Sequence, residues 1–266
     1  MSFTDYYNHL QDNPNNISFW YPKIKDCGML VPETQIFAVP ENIVQAFFME
    51  GDVQSNQDAV YEWVKSEIMP SLSQNLRGLI FMKNGAFSNK FDFNTCAIRA
   101  NALEIARNLI EINYTSLMFE TGGNTEVAIR ERILSDSNIP CIYHGMPLNT
   151  EYRVFYDFDT KKVLYSVNYW DWDYCHDAIA RDVTDKVIYE AYYPTLMKNY
   201  ADRCGFVEKY VEDHMYHVEG LTGIWSVDVM EVDHSYWLID MAVGHRSAYW
   251  DPVKAGLVEE ENNGEV

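Results

Sequence analysis

Trp225–Trp250, WSVDVMEVDHSYWLIDMAVGHRSAYW, is the stretch from which the rest of this chain can be read. Two alternating apolar runs, Trp225–Met230 and Tyr236–Met241, flank the polar turn Val232-Asp233-His234-Ser235. Alternation with a period of two on either side of a short polar turn predicts an antiparallel hairpin. Each strand carries a carboxylate, Asp228 or Asp240, where an apolar residue would otherwise continue the run. A lone carboxylate buried in a strand is costly unless something compensates it. Two on paired strands can share a compensator, and a hard divalent cation such as Mg²⁺ suits that place. The alternative is an edge hairpin with both side chains in solvent.

The bulk properties set the frame. The chain has 266 residues, 47% of them hydrophobic, enough for the core of one large domain or of two or three small lobes. A net charge of −20 argues against a broad grip on nucleic acid or an anionic membrane, while leaving room for a local basic pocket. Cys27, Cys96, Cys141, Cys175 and Cys204 are scattered and show no CxxC spacing, which reads as reduced cytosolic thiols. The polar N-terminus has no signal-like apolar segment and no run reaches membrane-spanning length, so a soluble cytoplasmic protein is expected.

Outward from the hairpin, residues 1–16 read as a helical or loose lead-in ending in the turn Asn13-Pro14-Asn15-Asn16. Pro22 and Pro32 bracket a short helix or turn, and Thr34–Val39 reads as a strand. Ser55–Leu72 is helical by period, with Ser55 or Asn56 as N-cap. Leu79–Lys83 is an apolar strand, followed by the loop Asn84–Lys90 and a return strand at Phe91-Asp92-Phe93. Asn101–Ile112 is a second helix, and Val127–Ile133 a further strand. Glu151–Tyr156 and Val163–Tyr169 form a hairpin, and 185–217 is a long helical region expected to break near Pro194 and Gly205. Interspersed helices and strands place the fold in the α+β or α/β class with largely antiparallel sheets.

Two further clusters can carry chemistry. Lys83 and Lys90 flank a glycine-bearing loop whose backbone N–H groups could cradle phosphate oxygens, although no Walker or GxGxxG signature is present. Glu151 and Arg153 lie on one face of their strand, either as a plain ion pair or as the lining of a cleft. His214 and His217 have no partners at zinc-ligand spacing, and Trp170–Tyr174 reads as a packed sheet edge.

The order of these pieces resembles the ATP-grasp superfamily, and within it the cell division cycle protein 123 family and its short bacterial and phage relatives. The resemblance is carried by SFWYPKI (18–24) with VPET (31–34), GLIFMKNGAFSNKFDF (78–93), AIRERI (128–133), EYRVFYDF (151–158) and WSVDVMEVDHSYWLIDMA (225–242). It implies an α+β ATP-grasp fold, two α/β lobes with largely antiparallel sheets holding ATP between them. The expected boundaries are 1–75 for an N-terminal α/β region, 76–135 for a small lobe with phosphate loop and hinge, 136–252 for the lobe with the metal hairpin, and 253–266 for an acidic tail.

Position by position, the resemblance implies that Lys83 touches the ATP phosphates and that Ser88, Asn89 and Lys90 close over them. Glu131, Arg132 and Ile133 would form the hinge at the adenine edge, and Glu151 would accept from the ribose hydroxyls. Arg153 would face phosphate or substrate, and Asp228 and Asp240 would hold Mg²⁺. Ala242 stands where such enzymes usually carry an asparagine, which puts a second metal in doubt.

The implied activity is ADP-forming ligation, in which a carboxylate takes the γ-phosphate and an amine or similar nucleophile then displaces it. Lys83 and Arg153 would neutralise developing charge. The alternative is an ATP-binding assembly factor that grips a protein partner, as eukaryotic members assist assembly of a translation initiation complex. A third reading takes Lys83-Asn84-Gly85 as a covalent nucleotidyl-transferase signature, but its spacing is one residue short. Asp228→Asn and Asp240→Asn are expected to weaken Mg-ATP binding and leave the fold intact or steadier.

Overall fold

The computed structural model describes residues 2–48 and 52–258, and the chain divides into two compact units. The first takes in the chain up to Pro22, with Pro32–Ser135 and Cys141–Pro147; the second takes in Lys23–Val31, Asp136–Pro140 and the chain from Leu148 on.

The first unit begins with helices α1 (Phe3–Gln11) and α2 (Ile17–Ile24), then strand β1 (Thr34–Ala38) and helix α3 (Glu41–Phe47). Helix α4 (Val53–Trp63) runs through a π turn at Val64–Ile68 into α5 (Met69–Ser71). Its N-cap is Asp52, whose carboxylate accepts from the Ser55 N–H, so Ser55 is in the first turn and not the cap. Next come β2 (Leu79–Asn84), β3 (Ala97–Arg99), α6 (Ala102–Met118), β4 (Glu126–Glu131) and the two-residue pair β5 (Cys141–Ile142) and β6 (Met146–Pro147).

The main sheet of this unit is antiparallel with order β1-β4-β2-β3. Strand β4 is central and buried over residues 126–130, as expected for a strand paired on both edges. Val60, Val64, Ile68, Ile80, Met82, Leu109 and Ile129 meet in its core. The expected return strand at Phe91–Phe93 is instead part of a 3₁₀ turn over Lys90–Thr95, and β3 takes its place. The Thr95 hydroxyl donates to the Asp92 carbonyl and closes that turn.

The second unit is built from β7 (Glu151–Asp157), β8 (Lys162–Asn168), α7 (Trp172–Ile179), α8 (Val183–Met215), β9 (Ile224–Val232) and β10 (Ser235–Val243). Its antiparallel sheet has order β10-β9-β7-β8. The β9–β10 turn is the two residues Asp233 and His234, both at positive φ (49° and 60°), the twist a tight hairpin demands. Leu30 adds itself to the edge, its carbonyl accepting from Leu238 N–H.

Helix α8 does not break at Pro194 or Gly205. Tyr189, Leu196, Val207, Val211 and Met215 are buried along it at helical spacing. Packing of that stripe on the sheet outweighs the hydrogen bond lost at Pro194 and the looser backbone at Gly205. No helix among the described residues is long and apolar enough to cross a membrane. Residues 259–266 of the acidic tail lie outside the described residues.

Candidate functional site

The sheet of the second unit has two different faces. Tyr152, Val154 and Tyr156 of β7 point to the α8 side, where Tyr152 stacks on Tyr200 and donates to Glu231. Glu151, Arg153 and Phe155 point the other way. On that opposite face the register sets Arg153 against Asp228, and Asp228 against Asp240, a row of three charged residues across three neighbouring strands.

A bulge makes this row. Strand β10 shifts register between Leu238 and Asp240, leaving Ile239 as the extra residue. A regular ladder continued from Leu238↔Val229 would turn Asp240 to the α8 side, because a slip of one residue exchanges faces. The bulge re-aims it toward Asp228, a detail that residue alternation cannot reveal.

Asp228 is compensated from within the sheet. Arg153 Nε donates to its Oδ1 at 2.7 Å and Nη2 to its Oδ2 at 2.6 Å, a bidentate pair in which both residues are buried. The ion pair that Arg153 makes thus runs across strands to Asp228.

Arg153 Nη1 also donates to the Ala248 carbonyl, and the rings of Tyr169 and Tyr249 lie 4.9 and 5.9 Å from the guanidinium. Burial opposes its charge, but Asp228, by charge and hydrogen bonds, with Tyr169 and Asp240 adding, holds the guanidinium above its ordinary pKa. Asp240 is half-buried, and its Oδ1 accepts from the Met241 N–H.

Residues 244–251 cross this face. Ser247 Oγ donates to Ser226 Oγ, the Tyr249 hydroxyl donates to the Tyr169 carbonyl at 2.6 Å, and Trp250 packs against Phe155. Burial, with Cys175 adding, raises the Tyr249 hydroxyl well above its ordinary pKa and keeps it a donor. Glu151 is buried at the start of β7.

The first unit holds the other expected residues. Lys83 is 2% exposed, on β2 opposite Ala128. Ser88 and Lys90 are half-buried and Asn89 is buried. The base of the loop is set by Asn84, whose Oδ1 accepts from Ala86 and Phe87 N–H while its Nδ2 donates to Asn113 and Asn124.

Gly85 N–H donates to the Gly123 carbonyl, and a Cβ at Gly123 would stand 2.3 Å from Ala86 N. The loop is thus anchored at its root by a buried asparagine network. Strand β4 stops at Glu131, short of the expected Ile133. Glu131 is exposed and its N–H is taken by the Glu33 carbonyl, while the half-buried Arg132 lies over the Phe93 ring.

Two carboxylates, Asp228 and Asp240, are what the sheet offers a cation; among the described residues no group of three or more His, Cys, Asp or Glu side chains forms a metal site. That donor set fits Mg²⁺, which is commonly held by one or two carboxylates with phosphate oxygens and water completing its shell.

No protein-family model and no curated protein matches the sequence. Among solved structures, C-terminally truncated Cdc123 from Schizosaccharomyces pombe aligns with 89% of this chain and 85% of its own length, with TM-score 0.51 and 14% identity. D-alanine–D-alanine ligase from Bacillus anthracis, complexed with ATP, aligns with 88% of this chain and 55% of its own length, with TM-score 0.40 and 11% identity. A RimK domain ATP-grasp protein from Sphaerobacter thermophilus aligns over 86% and 58%, with TM-score 0.36 and 11% identity. At these identities the likeness is one of fold. By fold, the chain is α+β and similar to Cdc123.

Proposed function

We propose that this chain binds Mg-ATP and uses it to activate a carboxylate, forming ADP. The observation that carries the reading is the Arg153–Asp228–Asp240 row, which sets two hard-oxygen ligands and a delocalised cation side by side on one sheet face. Asp228 and Asp240 would hold Mg²⁺, which when bound supplies charge neutralisation at the phosphates. Lys83, with the loop through Ser88, Asn89 and Lys90, would bind phosphate oxygens; Glu131, Arg132 and Ile133 would meet the base, and Glu151 the ribose.

A substrate carboxylate oxygen would bond to the γ-phosphorus as the bond to the β-bridging oxygen breaks and ADP leaves. An amine nitrogen would then attack the acyl carbon, phosphate would leave with the C–O electron pair, and the amine proton would pass to solvent. Arg153, on the same sheet face as Asp228 and Asp240, would steady the anionic intermediate.

The second reading, an ATP-binding assembly factor that grips a protein partner, is favoured by Ala242. It lies opposite Ser226 and offers no third oxygen ligand. The two readings separate in one assay: ADP formation from Mg-ATP across a panel of amino acids and short peptides as acids and amines. Turnover that is lost in Lys83→Ala supports the ligase; tight Mg-ATP binding with no ADP from any pair supports the assembly factor.

A further inference from the structure

The cage around Arg153 is built for a guanidinium and leaves no donor position idle toward Asp228. Its Nε and Nη2 take both oxygens of that carboxylate, Nη1 takes the Ala248 carbonyl, and Tyr169 and Tyr249 flank it. Asp228 is also the expected metal ligand, so one carboxylate has two cationic suitors.

Mg²⁺ demands short, near-octahedral oxygen contacts, and a guanidinium within hydrogen-bond distance of the same oxygens would stand against it as a like charge. We propose that Arg153 is the exchangeable counter-ion of Asp228: divalent metal takes Asp228 only as the guanidinium lets go. The released guanidinium then becomes the cation available to phosphate or acyl oxygens.

This deepens the proposed function and rests on its assignment of Asp228 and Asp240 as metal ligands. Exchange also reaches the covering segment. The Nη1–Ala248 bond and the Tyr249 ring tie Arg153 to residues 244–251, so moving the guanidinium loosens their hold on the sheet. Asp240 stays beside Arg153's original place and keeps the exchange local, because its charge favours whichever cation sits there.

Two measurements on the full chain decide it. Mn²⁺ binding, read by loss of the free-ion paramagnetic resonance signal, is compared in the parent, Arg153→Lys and Arg153→Met. If the guanidinium holds Asp228 most of the time, the competent fraction is small and its removal tightens Mn²⁺ affinity by about tenfold or more. Arg153→Lys, which lacks the fork, falls between. Equal or weaker affinity in folded Arg153→Met overturns the exchange.

Because Arg153→Met leaves a buried carboxylate and can fail to fold, the second measurement uses the parent alone. The Arg153 Nε–H resonance, assigned by its loss in Arg153→Lys, should shift and exchange faster with solvent as Mg²⁺ is added. Mg²⁺ binding that leaves this resonance unmoved overturns the exchange but spares the metal assignment. No Mn²⁺ binding in the parent and in folded Arg153→Met, with or without ATP, overturns the metal assignment itself.

Discussion

At the scale of single residues, the two carboxylates of the hairpin behave differently because their partners differ. Asp228 is buried against Arg153, and Asp240 is half-buried and accepts from the backbone N–H of Met241. Breaking a buried pair by removing one partner costs about 3–5 kcal/mol, because the other charge is left uncompensated. Asp228→Asn should therefore lower the unfolding free energy by an amount in that range, and Asp240→Asn should change it by less than about 1 kcal/mol.

Urea unfolding of the two variants checks this; equal stability in both would show that the Arg153–Asp228 pair contributes nothing. This prediction runs against the sequence-based expectation that removing the Asp228 charge would leave the fold nearly intact or even steadier, because that charge is paired with Arg153. The alternating pattern showed that a carboxylate needs compensation there, but not that Arg153, some 75 residues earlier in the chain, supplies it.

At the scale of elements, the sequence is most legible where a pattern is local. The β9–β10 hairpin, its turn, the β7–β8 hairpin and the α6 helix all follow from periodicity and turn residues. What escaped is what tertiary packing decides. Helix α8 passes through Pro194 because its apolar stripe is already committed to the sheet, and the bulge at Ile239 exists only in the pairing of β10 with β9.

Two glycines give opposite tests of such packing. At Gly205 a Cβ would meet nothing within 4 Å inside a continuous helix, so Gly205→Ala should stabilise by about 1 kcal/mol. At Gly123, with φ +84°, a Cβ would collide with the backbone nitrogen of Ala86, so Gly123→Ala should destabilise by about 1–3 kcal/mol. Thermal melts should move in opposite directions; two shifts of the same sign would refute this account of the loop root.

At the scale of the whole molecule, five short motifs in one order pointed to the cell division cycle protein 123 family, and the chain shares the fold of Cdc123 at 14% identity. Fold was legible because it rests on many weak local signals that agree. The site was legible only as residue types: Arg153, Asp228 and Asp240 stand out as charges in apolar strands, while their pairing depends on register. A net charge of −20 makes any anion site a local exception, so a Mg²⁺ requirement for nucleotide binding would separate a built nucleotide site from casual phosphate contact.

The most direct test of the central claim is thermal unfolding of the parent and of Asp240→Asn with ATP, with and without Mg²⁺. A ligand that binds only the folded form stabilises it by about 2.7 kcal/mol at a hundredfold excess over Kd. The account predicts a clear upward shift in the parent that requires Mg²⁺ and is lost in Asp240→Asn. A parent whose melting is indifferent to Mg-ATP, or a shift that survives in Asp240→Asn, would contradict it.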